Sequence, residues 1–324
     1  MDKARYPSFP WPVSGRAILK AQPSDFVVTE ELGFEPSGRG EHLFFWIEKT
    51  RISTHEVAAE LADWLNLPRR AVSYSGRKDK HAVCRQWFSA HRPGIDRPRI
   101  PEQPHWRVIE VSRNTRHLKV GTHRGNRFDV RLGVVQADPD RLRAGFDRLL
   151  ELGCPNYFGR QRFGFDNLER ALRGGEDEMA LAAARAALFN RMLSSRVEQN
   201  TWLAPVAGDP CLRPGGNGWL MDATEGMIAQ GAADPSMPLF GPLPGLAASA
   251  AEHWRQEFAA HPDLVRVLEP TSWQPHRRRV RLMPQHAALE IHGEQIRIQA
   301  TLPTGAFMTT VLDGLIETHD ANSD

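Results

Sequence analysis

Apolar and polar residues alternate along the first part of the chain in a way that predicts strands. Phe26-Val27-Val28-Thr29-Glu30 and Leu43-Phe44-Phe45-Trp46-Ile47 both read so. Between them, Glu35-Pro36-Ser37-Gly38-Arg39-Gly40 supplies the punctuation of a hairpin. A helix is predicted next. Ser53 and Glu56 have capping-box spacing, Val57, Leu61 and Trp64/Leu65 form an apolar stripe, and Asn66 and Pro68 end it. Residues 85–90 predict a short strand behind a highly polar loop, 75–81. Strand character over 107–120 and 127–135 puts a turn at Gly121 and Gly125.

The rhythm changes near Cys154-Pro155. Helical spacing dominates 167–173 and 176 to about 200, the latter with an alanine-rich stripe. The stretch 204–245 is rich in Pro and Gly and reads as mostly irregular. It includes Arg213-Pro214-Gly215-Gly216-Asn217-Gly218 and Gly241-Pro242-Leu243-Pro244-Gly245. Strand signals return at 279–283, 288–292 and 295–301, and Pro303-Thr304-Gly305 leads into a last helix over 307–318. This order is what an insertion into one mixed domain produces. The expected class is α/β in the broad sense (α+β, mixed). Domain parts at 1–155 and 276–324 flank an insertion at 156–275.

Composition narrows the class. A chain of 324 residues with 41% hydrophobic and 25% charged residues has the make-up of a globular protein with a real core. No apolar run approaches the roughly 18–20 residues of a membrane span, and the opening MDKARYPSFPWP has no apolar core of an export signal. Cys84, Cys154 and Cys211 are an odd number, far apart, so a reducing cytoplasm is expected. The charge is uneven. Up to Arg131 there are 23 Lys/Arg against 15 Asp/Glu; from Leu132 onward there are 18 against 24. A basic part joined to an acidic part points mildly to a polyanionic ligand, although charge varies along any chain.

Nucleotide-binding, zinc-protease and esterase signatures are absent, and none of the 13 histidines forms a close metal-ligand pair. No metal and no organic cofactor is expected. Three segments do carry chemistry. In Ser75-Gly-Arg-Lys-Asp-Lys-His81 a single carboxylate, Asp79, is surrounded by Arg77, Lys78, Lys80 and His81. Adjacent cations favour an ionised, available carboxylate and attract phosphate; a solvated turn with one compensating acid has the same composition. Arg124, Asn126, Arg127 and Phe128 combine guanidinium, amide and ring, which suits a splayed base; a hairpin with one buried Phe does so too. Asn156-Tyr-Phe-Gly-Arg-Gln-Arg-Phe-Gly164 interleaves aromatics with Arg160 and Arg162, as RNA contact or a packed hinge would require.

Together these segments resemble the TruD family of tRNA pseudouridine synthases. The matching pieces are Lys20-x5-Phe26-Val-Val, Gly76-Arg-Lys-Asp-Lys-His-Ala with Gln86-Trp-Phe, Arg124-Gly-Asn-Arg-Phe128, the 156–164 run, and Leu302-Pro-Thr-Gly-Ala-Phe307, in family order across almost the whole chain. The resemblance implies a pseudouridine synthase catalytic domain with a mixed β-sheet, interrupted by the family's insertion domain. It also implies isomerisation of uridine 13 of tRNA without a cofactor. Carried over by position, Asp79 matches the catalytic aspartate and Lys20 its basic partner. Phe26, Asn126 and Phe307 match substrate-binding positions, and Phe128 is an aromatic beside the base pocket. Arg77, Lys78, Lys80, His81, Arg124, Arg160 and Arg162 are the expected RNA contacts. The partner implied is tRNA, with no membrane, and a monomer is expected. Two rival readings remain: a non-catalytic RNA-binding module, which would need neither Asp79 nor Lys20, and a hydrolase using Ser75 or Ser89 with His81.

Overall fold

The structure, a computed structural model, describes residues 11–94, 98, 103–164, 166–205, 208–212, 219–220 and 234–322. In chain order the strands begin with β1 (Gly15–Leu19), β2 (Phe26–Glu31), β3 (His42–Lys49), β4 (Val72–Tyr74), β5 (Val83–His91), β6 (Trp106–Asn114) and β7 (Gly125–Ala137). Six short ones follow: β8 (Cys154–Pro155), β9 (Cys211–Leu212), β10 (Trp219–Leu220), β11 (Asp234–Pro238), β12 (Arg277–Arg279) and β13 (Arg281–Leu282). The last are β14 (Gln285–His292), β15 (Gln295–Pro303) and β16 (Glu317–Asp320). The α-helices are α1 (Thr54–Trp64), α2 (Pro139–Leu152), α3 (Asn167–Leu172), α4 (Glu178–Glu198), α5 (Ala248–Ala259), α6 (Pro262–Leu268) and α7 (Met308–Asp313).

The chain divides into two compact units. One comprises residues 14–143, 284–305 and 316–324; the other comprises 1–13, 144–283 and 306–315. The divisions fall inside α2 and just after β13, where the sequence pattern suggested 155 and 275, and α7 is grouped with the helical unit.

The sheet unit is built on β7, whose 13 residues are long enough to serve three neighbours. β15 pairs with it antiparallel along one edge, from Gly125 to Gly133. On the other edge β1 covers Leu132–Ala137 and β2 covers Gly125–Val130. β1 and β2 thus lie end to end, with residues 20–25 looping out at the break. Outside them run two parallel strands: β16 beside β1, finishing with Asp320 opposite Leu19, and β5 beside β2, starting with Val83 opposite Val27. The break therefore gathers the end of β1, the end of β16 and the loop entering β5.

Two expectations fail here for one reason. β2 and β3 form no hairpin, because β5 takes the place between them, parallel to β2 and antiparallel to β3. Likewise the turn at Gly121 and Gly125 joins no hairpin, since β6 pairs with β3 and β7 with β2. Local punctuation marks a reversal without saying which strand fills the gap. The predicted helix over 307–318 is also shorter: α7 stops at Asp313, capped at Gly314, and residues 317–320 form β16 instead. Pairing with β1 over four residues overrides local helical spacing.

Helix α1 begins where the capping box predicted: Ser53 Oγ accepts from the Glu56 amide at 3.1 Å and the Glu56 carboxylate accepts from the Ser53 amide at 2.8 Å. Its apolar stripe, Val57, Ala58, Leu61 and Ala62, packs on Leu43, Phe45, Ile47, Phe88 and Ala90.

In the helical unit α4 is buried along most of its length and centres a core of Leu188, Phe189, Leu193, Trp202, Met237, Trp254 and Leu264. Asn190, fully buried on α4, accepts from Phe158 N at 2.8 Å and donates to Phe158 O at 3.0 Å. α5 and α6 lie beyond the region whose Pro/Gly content suggested irregular chain. Within that region, Asp234–Pro238 is a strand paired with β9 and β12. The Arg213–Gly218 run lies outside the described residues.

Gly125 opens β7 where it meets β15, and a Cβ there would collide with the Leu302 carbonyl oxygen. Gly125→Ala is expected to cost about 1–3 kcal/mol by forcing the two strands apart. A denaturant midpoint equal to that of the parent chain would show that the strands absorb the methyl group.

Candidate active site

At the break between β1 and β2, Lys20 adopts a left-handed backbone (φ 57°), which costs a non-glycine residue about 1–2 kcal/mol. The conformation turns its side chain inward, where it is 3% exposed. Its ammonium donates to Asp79 Oδ2 in a short contact and to Asp320 Oδ2 at 3.1 Å. It also lies 4.8 Å from the centre of the Phe26 ring. Burial pulls the lysine down, but the two carboxylates outweigh it and hold the ammonium above its usual range. Asp79 keeps 21% of its side chain exposed, and its Oδ1 accepts from His81 N at 2.9 Å. A buried cation behind and solvent in front leave an oriented carboxylate facing outward.

The loop carrying Asp79 is held from beneath by polar groups in the core. Lys49, fully buried, donates to the Asp79 carbonyl at 2.6 Å and the Ile52 carbonyl at 2.8 Å, and burial pulls it below its usual range. Thr54 Oγ1, in the first turn of α1, accepts from Lys78 N and donates to Gln86 Oε1, both at 2.9 Å. Gln86 Nε2 donates to the Gly76 carbonyl at 3.1 Å. Lys78 turns inward to Glu30 at 2.6 Å, and Glu30 accepts from Trp87 N at 3.1 Å. Burial pushes the Cys84 thiol up to about 11, so it stays protonated beside the Asp79 carbonyl.

A second group lines the same sheet face. In β2, Phe26, Val28 and Glu30 stand opposite Val130, Phe128 and Asn126 of β7. The Phe26 and Phe128 rings meet edge to face at 5.9 Å. Asn126 is 9% exposed; its Nδ2 lies 3.5 Å from His123 Nε2, and its Oδ1 is buried with no hydrogen-bond partner. Such an atom is costly unless something fills it. His123 is pushed down to about 4 by burial and then by the Lys78 charge, with the Ser75 carbonyl opposing, so near neutral pH its ring is uncharged. Its Cε1 lies 3.0 Å from where a Gly76 Cβ would stand, packing the imidazole against the Asp79 loop.

The profile of the family described as tRNA pseudouridine synthase D (TruD) matches residues 13–176 and 165–314. The chain belongs to the TruD family. Pseudouridine synthases are isomerases. The tRNA pseudouridine synthase D of Aeromonas hydrophila is 37% identical over 333 residues, covering 95% of this chain and 93% of that protein. Its namesake in Vibrio cholerae is 34% identical over 331 residues, covering 94% and 90%. A crystal structure from Methanosarcina mazei, provisionally described as a tRNA pseudouridine synthase D, superposes with a TM-score of 0.63 at 18% identity. It covers 94% of each chain and shares the mixed α+β fold. Among the described residues, no helix is long and apolar enough to cross a membrane.

Of the positions read from the TruD motifs, Lys20, Asp79, Phe26, Phe128 and Asn126 come together in the sheet unit. Phe307 belongs to the helical unit, where its half-buried ring lies 6.3 Å from Phe158 and 5.9 Å from the Arg278 guanidinium. Arg77, Lys80, His81 and Arg124 are exposed. Lys78 is not: its side chain is 4% exposed and paired, so it braces the loop and presents no charge to a phosphate. Arg160 pairs with Asp313 at 2.6 Å, and Arg162 lies 5.8 Å from the Phe158 ring centre. The Ser–His hydrolase finds no geometry. Ser75 Oγ is buried without a partner, Ser89 Oγ accepts from Leu118 N, and His81 is exposed.

Sequence reasoning missed Glu30, Lys49, His123 and Asp320. The first two carried a signal: Glu30 is in phase with Phe26 and Val28, and Lys49 with Phe45 and Ile47, so both occupy core-facing positions. Asp320 carries none, because its place depends on β16 returning to β1.

The depressed His123 has a consequence for stability. Between pH 6.5 and 4 the folded chain binds fewer protons there than the unfolded one, so this contribution is complete above pH 6.5 and is lost as pH falls through 4. Relative to the parent, His123→Gln is expected to lose about 3 kcal/mol less over that interval. Parallel stability curves for the two proteins would mean that His123 is not held neutral.

Proposed function

We propose that this chain converts a uridine of tRNA, at position 13, into pseudouridine, with Asp79 as the reacting carboxylate. The observation that carries the proposal is Asp79 itself, backed by a buried lysine and open on its other side. The reaction must break the C1′–N1 glycosidic bond, turn the uracil while it is held, join C5 to C1′, release the C5 hydrogen as a proton and leave a proton on N1. Asp79 can serve in two ways. As nucleophile, its oxygen bonds to C1′ while the C1′–N1 electron pair leaves on uracil. As base, it takes the proton from C2′, the C–H pair becomes a C1′–C2′ double bond, and the C1′–N1 pair again leaves on uracil. Both routes use the Asp79 carboxylate, which is held against the buried Lys20 ammonium.

The freed base has to be retained. The unpartnered Asn126 Oδ1 matches the N3–H of uracil, and Phe128 and Phe26 supply aromatic surface beside it. Phe307 is read as a substrate-binding residue through its motif position. Flipping a uridine out of folded RNA costs a few kcal/mol, which stacking partly recovers. The sheet unit is read as the catalytic domain and the helical unit as the insertion.

Asp79→Asn is expected to abolish tritium release from tRNA labelled at uracil C5 while binding stays within a few fold, because shape is kept and the reacting carboxylate is lost. Turnover above a few per cent of the parent would remove Asp79 from the reaction. Lys20→Met is expected to slow turnover sharply. Labelled tRNA with cytidine in place of uridine 13 should release nothing; release from it would move the target elsewhere.

The exposed arginines are read as phosphate contacts. Arg77→Ala and Arg162→Ala are each expected to weaken tRNA binding and to flatten the plot of log K against log salt by about one unit. An unchanged slope alongside a lowered melting temperature would make the residue a brace within its own unit.

A further inference from the structure

Lys20 has one more carboxylate than its charge requires. Asp79 and Asp320 both reach its ammonium, so the cluster carries a net negative charge around a side chain that is 3% exposed. Asp320 is fixed independently of Asp79. Its Oδ1 accepts from Asn322 N at 3.0 Å and from Asn322 Nδ2 at 3.4 Å, which leaves Oδ2 for the lysine. The same segment clamps the backbone around Lys20. Ala321 N donates to the Leu19 carbonyl, and Asn322 Nδ2 to the Lys20 carbonyl, both at 3.0 Å. These bonds hold the left-handed turn that aims the side chain at Asp79.

The need for a second acid arises during the reaction. On either route Asp79 becomes neutral, as an ester to C1′ or as a protonated acid, and the negative charge moves to the uracil. A buried ammonium whose only partner loses its charge is strongly unfavourable. We propose that Asp320 is a positioning residue that keeps Lys20 paired through the step in which Asp79 loses its charge. It touches neither sugar nor base and acts only through Lys20. The proposal rests on the reading of Asp79 as the reacting carboxylate.

Two measurements test it. The first needs no activity: unfolding transitions of the parent, Asp79→Asn, Asp320→Asn and the double variant. Each single change leaves Lys20 one carboxylate, so each should move the melting temperature by no more than about 2 °C. The double variant leaves the ammonium unpaired and should fall further than the sum of the two, by roughly 5 °C or more. The second is single-turnover tritium release. Asp320→Asn should react about 10–100-fold more slowly with tRNA affinity within a few fold, and Asp320→Glu should recover part of the loss. Additive melting shifts, or an Asp320→Asn rate equal to the parent's, would each overturn the proposal. A parent chain that releases no tritium would instead overturn the functional reading, while the melting cycle would still report whether the two acids share Lys20.

Discussion

A buried ammonium needs partners that offset the water it gives up, and at Lys20 that requirement organises the site. Lys20 is withdrawn from water against two carboxylates, Asp79 and Asp320, and the three meet where β1 stops and β2 has not begun. The long β7 strand makes that break possible by holding both strands in line on one edge. The flanking β16 and β5 then bring one acid each. The core supports the arrangement with Lys49, Thr54, Gln86 and the Lys78–Glu30 pair, which hold the Asp79 loop from its inner side.

Much of this was legible in the sequence, and the gaps have a common cause. The α1 capping box and the strands at β2, β3, β5 and β15 follow from local spacing, and the Lys20 and Asp79 positions from the resemblance to TruD motifs. What was not legible is which strands become neighbours. Hairpin punctuation at 35–40 and around Gly121 was real punctuation, but β5 fills the gap it left open. Lys78 looked like a phosphate contact because it sits in a basic loop, yet Glu30, 48 residues away, draws it inward. Asp320 lies in a segment whose local pattern read as the end of a helix, and only pairing with β1 makes it part of the site.

The helical unit follows a different logic. α4 is buried on most of its surface, so its alanines serve close packing, and its one fully buried amide, Asn190, clamps Phe158 through both backbone groups. That clamp fixes the start of the aromatic–arginine run that the sequence singled out. The Phe158 ring has the Arg278 guanidinium 4.1 Å away on one contact and Phe189 at 5.6 Å on another. The run is thus a packed element of its own unit as well as a source of exposed arginine.

The pairing of β16 with β1 also sets a timetable. Lys20 and Asp320 are 300 residues apart in the chain. A ribosome adding about 5–20 residues per second needs roughly 15–60 s to travel from one to the other. Through that interval the nascent chain holds Lys20 and, soon after, Asp79, but neither the clamp on the Lys20 backbone nor its second acid. The site is completed only when the β16 segment emerges and finds β1, so a chain still being translated carries Asp79 without the finished cluster behind it.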